Sequence, residues 1–261
     1  MLIDIPLPVL LGGVDDPVIP PDAFPDLLVW LVADDNAPVG SGNDVDTWTD
    51  RTANAWRYVR SLSGTGPAYF ENRWNGQGVI VFDGSSGTSL TVAASQTQPG
   101  FIEHTMAVAY RAAGTGGDGP VILGNPAGIF RRGWTASEQN AAAIALMNYD
   151  SPQVQLTIAD PFDNTVDLSP YPRGHVAITR RNAAGEHDYF HDGVDRSVTP
   201  PPVQNTRNMV ARRLAGLNEV DFCEPDTEIA ELVVITSPIT DEERAGLYNY
   251  FATKYGFPLV G

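Results

Sequence analysis

Short apolar runs separated by turn residues recur from Leu27 to Ile235, and within most of them apolar and polar positions alternate with a period of two. That period sends successive side chains to opposite faces, as a half-buried antiparallel sheet requires. Thr105–Arg111 shows it best, with Met106, Val108 and Tyr110 on one face and Ala107 and Ala109 on the other. Leu27–Val32, Val79–Phe82, Ser89–Val92, Val121–Leu123, Gln153–Ile158 and Gly174–Thr179 read as further strands. Asp188–His191 and Val194–Ser197 flank Asp192-Gly193, a pair suited to a two-residue hairpin turn because it accepts positive φ. Glu228–Ile235 is the longest apolar strand. Ala141–Met147 is ambiguous. Its alanines favour helix, and Thr135 with Glu138 has capping-box spacing, yet Ile144 and Leu146 share a strand face, and it is assigned to a strand.

One helix stands out. Thr240 and Glu243 form a capping box after Pro238, and Leu247, Phe251 and Tyr255 repeat at i, i+4 and i+8. Gly256 is placed to cap the C-terminus and Pro258 to stop continuation. At the other end, residues 1–25 form a Pro-rich arm whose prolines exclude regular sheet pairing. Its apolar residues (Leu2, Ile3, Ile5, Leu7, Val9, Leu10, Leu11) are too many for a solvated tail. The arm therefore either lies along the domain formed by residues 26–261 or docks into a neighbouring subunit.

Composition narrows the function classes. The 261 residues, 43% apolar and 18% charged, suit a single folded β domain, and 25 glycines with 21 prolines supply turns at the density many short strands need. A net charge of −16 repels nucleic-acid backbones and anionic membranes, and the basic residues cluster no further than pairs such as Arg131–Arg132, Arg180–Arg181 and Arg212–Arg213. No nucleic-acid partner is expected. No apolar run approaches the roughly 20 residues of a membrane span, so membrane insertion is not expected either. Met1–Gly13 lacks a positive leading region and carries Asp4, Pro6 and Pro8, which makes it a poor signal peptide. Cys223 stands alone, so no disulfide can join two parts of the chain. Lys254 is the only lysine.

Three stretches resemble the concanavalin A-like lectin/glucanase superfamily in its laminin G-like form, found on bacterial surface proteins and phage structural proteins. The first is Leu28-Val29-Trp30-Leu31 leading to Thr47-Trp48-Thr49-Asp50-Arg51-Thr52-Ala53-Asn54, similar to the family's opening strand and its W-x-D-R-S-x-N turn; Ala53 stands where the family more often has Gly. The second is Pro67-Ala68-Tyr69, Asn75-Gly76 and Val79–Gly84. The third is Ile229–Val234 through Thr240–Gly256, similar to the closing strand and terminal helix. The resemblance implies an all-β, two-sheet antiparallel jelly-roll sandwich with one C-terminal helix and the Pro-rich arm outside it. It leaves function open, because this fold hosts lectins, glucanases and structural modules.

Glu224-Pro225-Asp226-Thr227-Glu228 has the E-x-D-x-E spacing of the superfamily's glucanases. On a strand, period two aligns the three carboxylates, and a retaining hydrolase needs two of them about 5–5.5 Å apart. Pro225 argues against a paired strand there, so the segment reads as the loop entering Glu228–Ile235 and no catalytic residue is assigned. His187, Asp188, His191, Asp192 and Asp195 make a metal cluster on paper. In a strand, however, His187 and His191 stand about 13 Å apart, too far to share an ion, and no metal site is assigned. The acidic loops Asp34-Asp35-Asn36, Asn43–Asp46 and Asp160–Asp167 offer oxygen ligands for Ca²⁺, but none has the spacing of a known calcium loop, and no cofactor is expected. Trp56, Tyr58, Trp74 and Trp134 lie in or near loops, with Asp50, Asn54 and Asn75 beside them. Aromatic faces stack on sugar C–H surfaces while carboxylates and amides fix hydroxyls, so these seven are the sugar-site candidates. Trp30 and Trp48 are assigned to the core.

The resemblance, with the apolar arm, implies a non-enzymatic virion protein of a phage, a minor tail or head-surface component made in the host cytoplasm. On this reading the arm contacts other virion subunits, the protein is a homo-oligomer within the particle, and the jelly roll binds a cell-surface glycan. Two alternatives stay open: a glycoside hydrolase using Glu224, Asp226 and Glu228, and an assembly or decoration subunit without a ligand.

Overall fold

The computed structural model describes residues 17–35, 43–60, 66–82, 89–111, 174–184, 186, 188, 190–195, 197, 214 and 228–259, together with the backbone of 36, 121–125, 128–132, 144–147, 155–156, 187, 189, 213 and 227. Residues 1–16, Glu138, Trp134, Asp160–Asp167, Glu224 and Asp226 lie outside the described residues.

Alternation becomes sheet as expected. In chain order the strands are β1 (Leu27–Val32), β2 (Thr47–Thr49), β3 (Arg57–Arg60), β4 (Ala68–Trp74), β5 (Gln77–Phe82), β6 (Leu90–Val92), β7 (His104–Arg111) and β8 (Val121–Asn125). They continue as β9 (Gly128–Arg132), β10 (Ile144–Met147), β11 (Gln155–Leu156), β12 (His175–Arg181), β13 (His187–His191), β14 (Val194–Asp195), β15 (Arg213–Leu214) and β16 (Thr227–Ile235). Helix α1 (Asp241–Tyr255) follows. The segment with both helical and strand signals forms strand β10, paired antiparallel with β9 through Ile144–Met147. The alternation did not reveal β2, β3, β9 or β15, which are five residues or shorter, nor the seven-residue β4, most of which is exposed and carries no apolar period.

The strands form two antiparallel sheets, and the fold is a β-sandwich. One sheet has the order β14-β13-β12-β7-β16-β5-β4, with β1 also on β16; the other runs β11-β10-β9-β8-β15-β6-β3-β2. β16 is the hub of the first. One of its edges pairs with β7 along most of its length. The opposite edge is divided, Thr227–Ile229 pairing with β5 and Glu231–Ile235 with β1. A register shift between Ile229 and Glu231 marks the division. Hairpins close with Asn75 (φ 48°) and Gly76 (φ 79°) between β4 and β5, and with Asp192 (φ 49°) and Gly193 (φ 76°) between β13 and β14. This is the paired positive φ expected of short two-residue turns.

The half-buried pattern holds only in part, because the β16 sheet is a middle layer. Its face toward the other sheet contributes Met106, Val108, Tyr110, Ile229, Leu232 and Val234, which pack against Trp48, Tyr58, Leu90 and Leu214. Its opposite face contributes Ala107, Ala109, Val176, Ile178, Ala230 and Val233, which pack beneath α1. Small alanines on that face let the helix approach closely. Leu247, Phe251 and Tyr255 point into this second core, as the i, i+4, i+8 repeat requires. Each fully buried large aliphatic or aromatic side chain contributes about 1.5–3 kcal/mol.

Capping fixes the helix ends. Thr240 and Glu243 exchange hydrogen bonds as a capping box, and Gly256 closes the C-terminus in the left-handed region at φ 73°. The described end of the arm packs on this helix. Ile19 N–H donates to the Gly246 carbonyl (3.0 Å), and Phe24 is buried in the second core.

Candidate functional site

The β2–β3 loop, residues 50–56, gathers three of the sugar-site candidates. Asp50 anchors it from below. Its carboxylate is 3% exposed, accepts from the Trp30 backbone N–H (2.6 Å), and is bonded by the Thr52 hydroxyl. Burial pushes the Asp50 carboxyl above the ordinary carboxylate range, against the Thr52 and Trp30 hydrogen bonds that pull it down. Asp50 N–H also donates to the Trp56 carbonyl (2.8 Å), and Arg51 N–H to the Trp30 carbonyl (2.8 Å), which ties the loop to β1. Asn54 is exposed, and Trp56 is half-buried with its ring packed against the inter-sheet core. Asp50 is thus the support of a rim whose reachable groups are Arg51, Asn54 and part of Trp56.

Arg51 and Asp35 extend that rim. The Arg51 guanidinium lies 4.8 Å from the centre of the Trp30 ring and donates through Nη2 to Asp35 Oδ1 (2.5 Å). Its hydrogen bond to Asp35 pushes the Arg51 pKa further up, outweighing partial burial. Trp48 is a core residue as expected, with no exposure. Trp30 departs from the expectation: it is half-buried on the helix side, with Arg51 over its ring. Asp34, from the same acidic loop, accepts from the Tyr69 hydroxyl (2.9 Å) and Gly78 N–H (2.7 Å), so it serves to fasten β4 and β5 to this corner.

The remaining candidates are placed elsewhere. Tyr58 is fully buried between the sheets, its hydroxyl accepting from Gln98 Nε2 (3.0 Å), because period two turns it inward from β3. Trp74 is 6% exposed, packed edge-on against Tyr255 (6.1 Å between centroids) and Phe257 (5.8 Å). Asn75 sits at the β4–β5 turn and donates to the Lys254 carbonyl (3.1 Å), tying that turn to the end of α1. The structure therefore brings together Asp50, Asn54 and Trp56, and separates them from Tyr58, Trp74 and Asn75. Arg51 and Trp30 belong to the rim as well; the stacking that joins them across 21 positions of sequence left no local signal.

Glu228, the described member of the acidic motif, is 1% exposed on β16. It accepts from Arg111 Nη2 (2.8 Å), Arg73 Nη2 (3.2 Å) and Trp74 Nε1 (3.0 Å). Three residues on, Glu231 is fully buried and accepts from Trp30 Nε1 (2.5 Å), Tyr250 (3.1 Å), Tyr255 (2.6 Å) and Lys254 Nζ (2.7 Å). Burial, and then the nearby Glu231 charge, hold both phenols above their ordinary range, so they remain donors.

A further polar group forms at the β12–β14 end of the sandwich. His187 and His191 are both on β13, as expected, four residues apart. The neighbour of His191 is instead His175 of β12, whose ring stacks on it with 4.9 Å between centroids. Asp192 Oδ2 lies 2.7 Å from His175 Nδ1 and 3.6 Å from His191 Nδ1. His175 escaped the sequence reading because its place beside His191 depends on β12–β13 register, in which Ala177 faces His191 and His175 lies two residues along.

No protein-family model matches this sequence, and neither does any curated protein. Solved structures do match in shape. The botulinum neurotoxin serotype D ligand-binding domain, solved with N-acetylneuraminic acid, aligns at a TM-score of 0.57 and 9% identity over 86% of this chain and 50% of that one. Domain 4 of AbnA, an extracellular arabinanase of Geobacillus stearothermophilus solved with arabinotriose, aligns at 0.53 and 13% identity over 85% of this chain and 98% of that one. The Trypanosoma rangeli sialidase, solved with sialic acid, aligns at 0.51 and 12% identity over 91% of this chain and 36% of that one. This chain thus spans about half of the neurotoxin domain and nearly all of the arabinanase domain. At these identities the likeness is one of fold: the chain is an antiparallel β-sandwich of the shape these proteins share.

Proposed function

We propose that this chain is a non-catalytic glycan-recognition module of a larger particle, a phage virion protein of the tail or head surface. The observation that carries the non-catalytic reading is the state of Glu228. Its carboxylate is 1% exposed and occupied by Arg73, Arg111 and Trp74, which leaves it no route to a glycosidic oxygen. A general acid or nucleophile must lie within hydrogen-bond reach of the reacting group. Glu231 is held in the same way by four donors.

Recognition is supported by the rim. Asp35, Arg51 and Asn54 present a carboxylate, a guanidinium and an amide to solvent beside two half-buried tryptophans, on a loop fixed by the buried Asp50. Fixed polar groups around an apolar ring suit a sugar, whose hydroxyls and C–H faces alternate. The net charge of −16 opposes polyanionic chains, and Arg51 is already paired with Asp35, so the ligand class is neutral sugars. The arabinanase domain solved with arabinotriose matches the chain domain for domain. Placement in a virion rests on the laminin G-like resemblance and the apolar arm.

A neutral-glycan array probed with the full chain is expected to show binding that Asn54→Ala and Trp56→Ala each weaken by about tenfold, equivalent to about 1.4 kcal/mol. No reducing ends are expected from any bound glycan. Release of reducing ends that Glu228→Gln abolishes would replace this reading with the hydrolase. A blank array, with the chain in fixed stoichiometry in purified particles, would replace it with a structural subunit. Absence from particles would remove the virion role. Deletion of residues 1–16, which spares the Ile19 and Phe24 anchors, should leave the sandwich folded and abolish incorporation.

A further inference from the structure

We propose that His175, His191 and Asp192 form a site for a divalent transition-metal ion of the zinc class, with an open coordination position toward solvent. The three side chains come from two adjacent strands and their turn. Their potential ligand atoms all lie within 4.8 Å of one another. Zinc held tetrahedrally at about 2.0–2.1 Å needs ligand atoms roughly 3.4 Å apart. The 3.6 Å separation of His191 Nδ1 from Asp192 Oδ2 already meets this. The 2.7 Å separation of His175 Nδ1 from the same oxygen is a hydrogen bond whose proton an ion would replace.

The surroundings orient the ligands as a metal site requires. A ligating imidazole is normally fixed by a hydrogen bond at its other ring nitrogen, and a ligating carboxylate by a donor at its other oxygen. Tyr110, 4% exposed, places its hydroxyl 3.4 Å from His191 Nε2 and so leaves Nδ1 to face the cluster. Val176 N–H donates to Asp192 Oδ1 (2.8 Å) and leaves Oδ2 to face both rings. The turn contributes too, because Asp192 at φ 49° swings its carboxylate back over β12. The strand geometry does the rest: His175 pairs with Tyr110 across β7–β12, so the three rings and the carboxylate share the inter-sheet face at the sandwich's end.

Ligand chemistry selects the ion. Two imidazoles and one carboxylate favour zinc, cobalt or nickel, whereas Ca²⁺ wants six to eight oxygens. Side-chain exposure rises from 7% at His191 to 18% at His175 and 38% at Asp192, so the fourth position faces outward, where water or a ligand hydroxyl can enter. The site stands apart from the Asp50–Trp56 rim, and the metal proposal stands or falls independently of glycan binding.

The test is calorimetric titration of the chelator-stripped full chain with Zn²⁺ alone, with Ca²⁺ as comparison. One equivalent of Zn²⁺ and no Ca²⁺ should bind, and Co²⁺ in place of zinc should give the intense visible bands of a four-coordinate ion. His175→Ala and Asp192→Asn should each weaken Zn²⁺ at least tenfold. Asn accepts the turn conformation, and the His175 ring sits at the open rim, so both variants should fold. Tyr110→Phe should weaken it by about tenfold through loss of the orienting hydroxyl. His187→Ala should bind like the unaltered chain. Absence of Zn²⁺ binding, affinity unchanged in His175→Ala, or an equal loss in His187→Ala would each overturn the proposal.

Discussion

Lys254, the chain's only lysine, reaches from the last turn of α1 to Glu231, the fully buried carboxylate of β16. Around the same carboxylate stand Trp30, Tyr250 and Tyr255, so strand, helix and first strand meet at one charge. The two ends of the ion pair are not equivalent. Lys254 retains 18% exposure and can turn toward water, whereas Glu231 has none. Removing one partner of a buried pair costs about 3–5 kcal/mol when the remaining charge is stranded. Lys254→Met should therefore destabilise by about 3 kcal/mol, and Glu231→Gln by less, about 1–3 kcal/mol. Because the residues touch, the double variant should cost less than the sum, which denaturant unfolding of all three would reveal. Sequence reading saw Lys254 only as an oddity. Its partner lies 23 positions away on another element, and no local pattern encodes that contact. Asp50 is a milder case. Its motif was visible, but its role as the buried support of the rim depends on Trp30 of the neighbouring sheet.

Among elements, legibility followed the locality of the signal. The helix was readable to its ends because capping box, apolar repeat and terminal glycine all lie within residues 240–256. The long strands other than β4, whose side chains are mostly exposed, were readable from alternation, and β7 shows both of its predicted faces. The two- and three-residue strands β2 and β15 are too short to carry a period and exist through their neighbours. The contact between arm and helix allows a sharper test. A Cβ at Gly246 would lie 2.5 Å from Ile19 Cγ1. Alanine in a helix gains about 1 kcal/mol over glycine, but overpacking costs about 1–3 kcal/mol. Gly246→Ala should thus be neutral to destabilising in the native background. Paired with Ile19→Ala, which clears the space, the propensity gain should reappear as a higher Tm than that of Ile19→Ala alone.

For the whole molecule, acid stability is set in part by His104. It is fully buried beside Arg181, its Nδ1–H donating to the Ile102 carbonyl (3.1 Å). Burial, reinforced by the Arg181 charge, pushes its pKa down from 6.5 to about 3 against that hydrogen bond. Since the unfolded chain takes up this proton first, the contribution is complete above about pH 6.5 and is lost as pH falls toward about 3. The loss runs at about 1.4 kcal/mol per pH unit. His104→Gln, which takes up no proton, should flatten the decline of Tm over that interval. At this scale the sandwich itself was legible, since turn density, alternation and the family-like stretches agreed. The middle sheet's burial on both faces was not, because only the assembled helix layer covers its second side.

The position of β16 in the chain has a consequence for biosynthesis. β1, β5 and β7 all pair with a strand that ends at Ile235, so a nascent chain that has emerged only as far as β13 holds their edges open and their apolar faces bare. Closure must wait until β16 itself emerges, after every other strand of both sheets has been made. Truncation before residue 227 should leave material that chaperones hold or proteases clear.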